Sequence, residues 1–465
     1  MGVAACLIGG STLHSWAGIP AHRTPRGDKW AMHPSPAMAE RRKDNILDKS
    51  MLTVDEMSLL TTEVLARLSQ VLGVVKMNEF AIDSTIPFGN MSVLLTGDFH
   101  QFPPVAQLRK ALFINNPASV VTQIGQHLFE QFQTVVLLEQ QMRIKDKTWH
   151  DVLCRARYGE CSITDLNVIR ELVLTSPSCD VPNFTTPPWN DAVLVTPRNS
   201  VRMDWNKAAI RKHCKQSGEV LYVSPAEDCV AQHPVSIPHR LLIQCLSEEQ
   251  TGRLSNEVEL VIGMKVMITE NIAPSANIAN GSRGTITSIL LDEREPVLTF
   301  SETEGVHFTR LIYPPAFIVI RLDFTELVQL LNLQKMEIPL SPISRSFRIG
   351  SRPSTMVNRR QLAITPAYAF TDFKAQGQTI EKLIVDIGKT VHFSLTPFNA
   401  YVALSRSSGR EDIRLLRDFE DHLFTHVPSE DLKVEDERLR ELANETKKKY
   451  YAGKYGAPHV AKDRS

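Results

Sequence analysis

The residues best suited to chemistry in this 465-residue chain are an aspartate and a glutamate that follow a short apolar run. Met51–Val54 ends at Asp55 and Glu56, while Met91–Leu95 leads into a Thr-Gly-Asp turn with Gln101 just beyond it. If both runs are parallel strands, their carboxyl ends meet at one sheet edge, where open α/β sheets bind nucleotides. One carboxylate could hold a hydrated magnesium ion while the other orients an attacking water. The spacing therefore predicts a metal-assisted hydrolytic site.

Such a site normally needs a loop that wraps the β- and γ-phosphates, and the standard form of that loop is missing. The pattern G-x-x-x-x-G-K-[ST] occurs nowhere in the 465 residues. The nearest match is Gly388-Lys389-Thr390, where Leu383 stands in place of the first glycine. The residues between are strand formers, which do not curl their amides around a phosphate. A strand from Leu383 to Ile387 followed by a turn is predicted there instead.

Charge balance limits how the chain could bind nucleic acid. Its 52 Lys and Arg equal its 52 Asp and Glu, so a grip on a polyanion must come from local patches. One candidate is Ser344–Arg360, which has no acidic residue, and another is the basic tail; either is also typical of a solvated face or a disordered end. The basic residues concerned are Arg345, Arg348, Arg352, Arg359 and Arg360 in the first patch and Lys447, Lys448, Lys449, Lys454, Lys462 and Arg464 in the second.

Cysteine spacing and hydropathy argue against several classes of protein. The seven cysteines are scattered, with no C-x-x-C and no histidine at zinc spacing, which is typical of reduced thiols in an intracellular protein. No apolar run approaches the roughly 18 residues that a membrane span needs. The start also lacks the basic stretch that precedes the apolar part of a signal peptide.

The pattern along the chain predicts an α/β protein of two or three domains. Residues 1–185 alternate strand-like and helix-like runs, and Thr61–Leu72 has helical apolar spacing at Val64, Leu65, Leu68 and Leu72. Pro177–Pro188 predicts a linker. The segments that follow are a second α/β part (186–262), a small inserted barrel of short strands (263–355), a return of the α/β pattern (356–427), and a charged helix with a basic tail (428–465). The predicted elements in these segments are strands Ala192–Thr196, Met264–Thr269, Thr285–Leu291, Val297–Phe300 and Phe317–Leu322, and a helix from Val201 onward.

Six motif blocks occur in one order and are specific in combination, although a lone Asp-Glu pair would not be. In that order they resemble the PIF family of superfamily-one DNA helicases, and within it the helicase part of Helitron-type transposons. The blocks lie at residues 2–15, Val54–Ser58, Gly97–Val105, Leu138–Arg143, Thr371–Thr379 and Tyr401–Arg406, with the turn Asn280–Gly284 between the fourth and fifth.

The resemblance implies a fold, cofactors and roles for the nucleotide site. It implies two RecA-like parallel-sheet domains, the first truncated at its N-terminus, with a small β-barrel inserted in the second. ATP and Mg²⁺ are the implied cofactors. The implied roles are metal binding for Asp55, water activation for Glu56, γ-phosphate sensing for Gln101, transition-state charge stabilisation for Arg143 and Arg406, and contacts along the nucleotide cleft for Gly377 and Gln378.

The resemblance also implies DNA as the partner, namely single strands and duplex junctions, with translocation from 5′ to 3′. The resemblance also implies a nuclear location and roles in DNA repair, recombination and telomere maintenance. It implies no protein partner. Short hydrogen-bonding side chains position a strand through its phosphates without reading its sequence. The residues implied are Thr12, His14, Ser15, Asn199, Thr371 and Lys374, and Phe102 or Phe373 could stack on a base.

Two departures from the family pattern shape the expected activity. Phe373 and Ala375 replace the usual His and Ser around the motif lysine, and Met1 falls at the start of a block that normally follows the phosphate loop. The expectation is a truncated or misannotated helicase that turns ATP over at or near background. The alternatives are a non-catalytic remnant that binds single strands, or a reading frame that begins too late.

Overall fold

The computed structural model describes residues 10–19, 34–80, 83, 86–105, 107–114, 118–273, 276, 278–325, 329–350, 354–390 and 394–454. The start of the first motif block, Cys6, Arg352, Lys462 and Arg464 lie outside the described residues. The chain separates into two compact units, called here the terminal unit (Ser11–Pro182 with residues 378–454) and the central unit (Asn183–Gly377 with Gly10).

The helices begin and end at recognisable local signals. Ser35 accepts a hydrogen bond at the start of one helix, where Pro36 fits because a first-turn amide needs no partner. Asp146 caps another, which ends at Gly159 in the left-handed conformation. The helices are α1 (Leu13–Trp16), α2 (Pro36–Ile46), α3 (Thr62–Phe80), α4 (Val120–Glu130), α5 (Lys147–Tyr158), α6 (Ile163–Arg170), α7 (Asn199–Ser217), α8 (Ile237–Gln244), α9 (Asp372–Ala375), α10 (Pro397–Leu404), α11 (His422–Thr425) and α12 (Glu430–Tyr451).

The strands are short, and several of them pair in parallel. They are β1 (Met51–Val54), β2 (Ser92–Leu95), β3 (Val193–Val195), β4 (Leu221–Pro225), β5 (Glu227–Val230), β6 (His233–Pro234), β7 (Glu257–Leu260), β8 (Lys265–Ile268), β9 (Arg283–Leu290), β10 (Ser301–Thr303), β11 (Val306–Arg310), β12 (Phe317–Leu322), β13 (Glu337–Leu340), β14 (Ile343–Ile349), β15 (Thr355–Gln361), β16 (Ile364–Pro366), β17 (Ala369–Phe370), β18 (Leu383–Val385) and β19 (Ile413–Leu415). The parallel pairs β1–β2, β3–β17 and β18–β19, together with the helices, confirm the predicted α/β class.

In the terminal unit, the apolar stripe of α3 packs in a core that also contains residues of β1 and the aromatic residues after β2. Leu65, Leu68 and Leu72 are fully buried, as their helical spacing predicts. Phe99, which follows β2, contacts the ring of Phe113 edge-on at 5.4 Å. This core fixes the loops that follow β1 and β2, and those loops carry the predicted carboxylates.

The central unit is built mainly from antiparallel sheets of short strands. A five-stranded sheet runs β13-β12-β9-β8-β16, and two four-stranded sheets run β14-β15-β5-β6 and β10-β11-β4-β7. Ile286, Ile318 and Ile320 fill the apolar core beneath the five-stranded sheet. The finer division into domains and the closure of this region into a barrel stay predictions.

Most predicted elements are confirmed, but one strand is wrong. Val297–Phe300 is irregular, and the strand begins only at Ser301. Val297 is 94% exposed, so its apolar side chain gains nothing from packing in a strand. At the Gly388 near-match, strand β18 leads to buried Asp386, which pairs with Arg417 at 2.9 Å. That strand and ion pair support the predicted strand and turn.

Candidate nucleotide and strand-binding sites

The carboxyl ends of β1 and β2 meet as the sequence predicts. Val54 lies opposite Leu95, and beyond them the Thr96 amide donates to the Val54 carbonyl at 2.9 Å. The Thr96 hydroxyl donates to Oδ1 of Asp55 at 2.8 Å. One carboxylate oxygen of exposed Asp55 is thereby oriented at the sheet edge, in the position predicted for a metal ligand.

The backbone at this edge is tightly constrained. Glu56 has φ 57° and ψ 47°, a left-handed conformation that costs a non-glycine residue about 1–3 kcal/mol. Gly97 approaches Met57, the residue after Glu56, so closely that a Cβ at Gly97 would lie 2.7 Å from the amide nitrogen of Met57. Met57 in turn donates to the Thr96 carbonyl at 2.9 Å. Strain at a predicted water-activating glutamate is typical of a functional site.

Asp98 anchors the loop after β2 and is not available as a metal ligand in this arrangement. Nη2 of Arg157 donates to its Oδ1 at 2.7 Å, and the His100 amide donates to the same oxygen at 3.0 Å. Burial raises the pKa of Asp98, but the Arg157 guanidinium and these hydrogen bonds outweigh burial and hold it below its usual value. The same carboxylate raises the pKa of Arg157 against burial.

Gln101 brings an unsatisfied acceptor to this edge. Its amide donates to the Asp98 carbonyl at 3.0 Å, which holds it in a turn beside the carboxylates. Its side-chain Oε1 is buried and has no hydrogen-bond partner in the part of the chain that the structure describes. Leaving a buried acceptor unpaired costs about 1–3 kcal/mol. An amide oxygen so placed can accept a hydrogen bond from a water molecule, whereas the γ-phosphate sensing predicted for Gln101 stays a prediction.

Arg143 is held by neutral acceptors. Its Nε donates to the Thr379 hydroxyl and its Nη1 to the Ser405 carbonyl, both at 3.0 Å. Burial lowers the pKa of Arg143, and the charge of Glu56 partly opposes that effect. Arg143 forms no ion pair within the described ranges.

Arg406 is more deeply buried, at 2% exposure, and is also held by neutral groups. It donates through Nε to the Val402 carbonyl at 2.9 Å, through Nη2 to the Ser405 hydroxyl at 2.7 Å, and through Nη1 to the Gln378 carbonyl at 3.5 Å. Burial and the charge of Arg143 lower the pKa of Arg406 to about 10. A buried cation without an anion costs several kcal/mol, so this geometry favours an anionic ligand.

The terminal unit therefore gathers most of the predicted nucleotide residues. The charges of Glu56, Asp98 and Arg143 all affect the pKa of Arg406. Gln378 joins them through its carbonyl, whereas Gly377 belongs to the central unit, where its φ of +75° requires glycine. Among the described residues no cluster of three or more His, Cys, Asp or Glu is arranged as a metal site.

The predicted strand contacts of the terminal unit lie at α1. Thr12 precedes the helix, and His14 and Ser15 lie on it, with His14 exposed. The Ser15 hydroxyl accepts a hydrogen bond from Nη2 of Arg41 at 2.7 Å. Neighbouring groups desolvate His14 and lower its pKa, which favours a neutral ring at pH 7. The site therefore offers neutral hydrogen-bonding groups beside one arginine.

In the central unit, Asn199 begins α7, while Thr371 and Lys374 lie at α9. Burial and the nearby charge of Arg202 lower the pKa of Lys374. Phe373, between the two α9 contacts, is 43% exposed and can present its ring to a base.

The other aromatic candidate is a core residue, and the described arginines of the Ser344–Arg360 patch have partners within the protein. Phe102 is only 3% exposed, so it is a core residue. Arg359 is buried in an ion pair with Asp228 at 2.7 Å, and Arg360 pairs with Glu227 at 3.0 Å. Arg345 and Arg348, the other described arginines of that stretch, bind Glu270 and the Ser354 hydroxyl. Three of the four described arginines of Ser344–Arg360 thus pair with acids from elsewhere in the sequence, which argues against this stretch as an open polyanion surface.

Several residues of these sites carry no sequence signal. Arg157 reaches Asp98 from 59 positions away, and His100 reaches Asp436 from 336 positions away. Arg41 lies 26 positions from Ser15. Each is an ordinary charged or polar residue on a helix or turn, so only the fold reveals its partner.

The comparisons with known proteins agree on one family. Residues 1–156 match the family model described as PIF1-like helicase. The chain is similar to the ATP-dependent DNA helicase PIF1 of Emericella nidulans, at 25% identity over 90% of this chain and 53% of the relative. It is similar to the ATP-dependent DNA helicase Pif1 of Bdellovibrio bacteriovorus at 25% identity, covering 89% of this chain and 76% of that one. It thus spans little more than half of the Emericella relative.

Solved structures support the fold. The crystal structure of Pif1 helicase from Candida albicans matches with a TM-score of 0.65 at 19% identity, covering 95% of this chain and 87% of that one. Bacteroides Pif1 bound to single-stranded DNA matches with a TM-score of 0.62 at 19% identity, covering 95% and 86%. The described part of the chain contains no helix both long and apolar enough to cross a bilayer.

Proposed function

We propose that this chain, a homologue of the PIF1-like DNA helicases, is part of a motor that uses ATP to move 5′ to 3′ along single-stranded DNA and to unwind duplexes. The carrying observation is the pair Arg143 and Arg406, held by neutral groups beside Glu56. Neither guanidinium has a carboxylate partner among the residues that the structure describes, and such a pair suits the charge that develops on a transferring phosphoryl group. Such a motor works on chromosomal DNA and junctions, so a nuclear location is part of the proposal.

The described residues divide the hydrolytic work. Asp55, exposed at the end of β1 and oriented by Thr96, would hold Mg²⁺, which supplies charge neutralisation at the phosphates. Glu56 would take the proton of the attacking water, and the unpaired Oε1 of Gln101 would orient that water. Arg143 and Arg406 would bind the developing negative charge. Gly377 and Gln378 would line the nucleotide cleft.

The residues present fit only the hydrolytic half of an ATP site. Arg406 is buried and has no anionic partner among the described residues, which fits a phosphate ligand, while the unpaired acceptor of Gln101 fits a water molecule beside that ligand. No stretch of the 465 residues supplies the glycine-rich loop that cradles the β- and γ-phosphates. We therefore expect these 465 residues to bind single-stranded DNA while hydrolysing ATP at or near background.

A phosphate-release assay in the presence of single-stranded DNA tests this expectation. The chain and its Glu56→Gln variant should release phosphate at the same background rate, while both bind a labelled oligonucleotide. Robust release by the unmodified chain that disappears in Glu56→Gln would refute the proposed impairment. Failure of the unmodified chain to bind single-stranded DNA at any salt concentration would refute the proposed motor role.

A second candidate is a non-catalytic protein that binds single-stranded nucleic acid. The exposed ring of Phe373, beside Thr371 and Lys374, favours it because base stacking needs no nucleotide hydrolysis. Binding that weakens steeply with salt and is indifferent to ATP would support this candidate. Binding that changes when an ATP analogue is added would favour the motor.

A further inference from the structure

Two arginines outside every motif block lie beside the proposed strand contacts, one in each unit. In the terminal unit, Nη2 of Arg41 donates to the Ser15 hydroxyl at 2.7 Å. In the central unit, Nε of Arg202 donates to Oδ1 of Asn199 at 3.4 Å, and its charge reaches Lys374. The same relation, an arginine that donates to a proposed phosphate contact, thus occurs independently in both units.

Arg41 lies on α2, which packs against the end of α1, and its side chain faces solvent. Its neighbours on α2 fasten that helix to the end of α1, since Arg42 Nε donates to the Ala17 carbonyl at 3.1 Å and Asn45 donates to the Trp16 carbonyl at 2.8 Å. Arg41 itself is exposed and forms no ion pair with any residue that the structure describes. Its guanidinium therefore keeps free donors next to Ser15.

The contacts at α1 need a cation that they do not supply themselves. Thr12 and Ser15 are uncharged, and desolvation favours the neutral form of His14. Affinity for a phosphate backbone comes mainly from cations that displace its counterions. Arg41 is the group placed to provide that charge at this position.

Arg202 extends the strand contacts of the central unit in the same way. It is half-buried on the first turn of α7, where Nη1 also lies 3.5 Å from the Thr365 hydroxyl. The charge of Arg202 lowers the pKa of Lys374, an effect that Glu248 partly offsets. Arg202 has no ion pair across the described ranges. Two cations that repel one another gain when a phosphate lies between them.

We propose that Arg41 and Arg202 each contact a backbone phosphate of a bound single strand, beside Ser15 and Asn199 respectively. This inference rests on the proposed function for the identity of the polymer, but it makes a separate prediction. Each phosphate neutralised on a single strand contributes about −0.7 to the slope of log K against log salt. Each arginine should therefore account for about that much of the measured slope.

The experiment measures binding of a fluorescein-labelled oligo-dT by anisotropy at several salt concentrations. Arg41→Gln and Arg202→Gln should each make the slope shallower by about 0.7, and the double variant by about 1.4. Lysine at either position should restore the slope, since it keeps the charge. Two controls remove an exposed cation elsewhere: Arg440→Gln on α12, and Lys215→Gln, about 20 Å along α7 from Arg202. Both controls should keep the original slope.

The outcomes separate this inference from the proposed function. Salt-dependent binding by the unmodified chain, with unchanged slopes in both glutamine variants, would overturn the inference and leave the proposed function standing. Equal losses of slope in the variants and in the controls would also overturn it, since the effect would then be bulk charge. No binding by the unmodified chain would overturn both. Thermal melts of all variants should coincide, which excludes unfolding as the cause of a changed slope.

Discussion

His100 and Asp436 are joined by a hydrogen bond of 2.8 Å between ring Nε2 and carboxylate Oδ2, across 336 positions of sequence. The other ring nitrogen of His100 lies 2.8 Å from the Arg157 carbonyl, and the ring is only 3% exposed. Both ring nitrogens therefore lie beside oxygen atoms of other segments. The bond ties the loop that carries Gln101 to α12, so the C-terminal helix is part of the support for the hydrolytic edge.

Breaking this bond should loosen α12. Asp436→Asn removes the charge that faces the buried ring, and the loss of a charged hydrogen bond costs about 1.5–3 kcal/mol. Hydrogen exchange should show faster exchange of amides along α12 and in the loop after β2. Glu437→Gln, an exposed neighbour on the same helix, should leave exchange unchanged. Equal exchange in the two variants would show that the bond does not support the helix.

The Asp98–Arg157 ion pair should make stability depend on pH. The pKa of Asp98 lies below its unfolded value of about 3.9, so its contribution is complete above that value and is lost as pH falls through the folded pKa. At pH 7, Asp98→Asn should lower the free energy of unfolding by about 2 kcal/mol. The gap between the two proteins in urea titrations should narrow below about pH 4. A gap that stays constant down to pH 3 would contradict the ion-pair account.

Gly97 should tolerate no side chain, because its Cβ would meet the amide of Met57 at 2.7 Å. Gly97→Ala is expected to cost at least about 2 kcal/mol of unfolding free energy, from steric conflict added to an unfavourable φ. The matched control is Gly218→Ala, which also has a positive φ, of 73°, but open space around the Cβ. The control should lose only about 1–2 kcal/mol. Equal losses would mean that backbone conformation alone, not the close approach, fixes glycine at position 97.

Local pattern predicted the elements, and long-range pairing decided what the charged residues do. The spacing of Leu65, Leu68 and Leu72 predicts α3 because burial of one stripe follows directly from helix geometry. The strand ends that carry Asp55 were predictable for a similar reason, since parallel pairing aligns carboxyl ends. The partner of Asp98 could not be predicted, because Arg157 lies on helix α5, 59 positions away in the sequence. Local sequence does not encode such contacts.

The basic patch is a second case in which local sequence did not reveal the partners of charged residues. Ser344–Arg360 contains no acid, which predicted a possible polyanion surface, yet β15 places Arg359 and Arg360 beside acids of β5. Cross-strand register, which depends on turns and packing, determined those pairs. The cations that lie beside the proposed strand contacts, Arg41 and Arg202, could be recognised only after the helices were in place.

Arg406 and Arg359 should lose very different amounts of stability when their charge is removed, although both are almost fully buried, at 2% and 1% exposure. Arg359 pairs with Asp228, so Arg359→Met leaves a buried carboxylate alone and should cost about 3–5 kcal/mol. In the described part of the chain the partners of Arg406 are neutral, so Arg406→Met loses hydrogen bonds but also removes an uncompensated buried charge. Its unfolding free energy should change by no more than about 1 kcal/mol.

Urea titrations of the two methionine variants measure this difference directly. A cation retained in the core at no benefit to stability is typical of a group kept for a ligand, and stability is commonly sacrificed at such sites. A loss of about 3 kcal/mol or more in Arg406→Met would instead make Arg406 a structural residue. The argument that it awaits a phosphate would then lose its main support, because the buried charge would already be compensated within the protein.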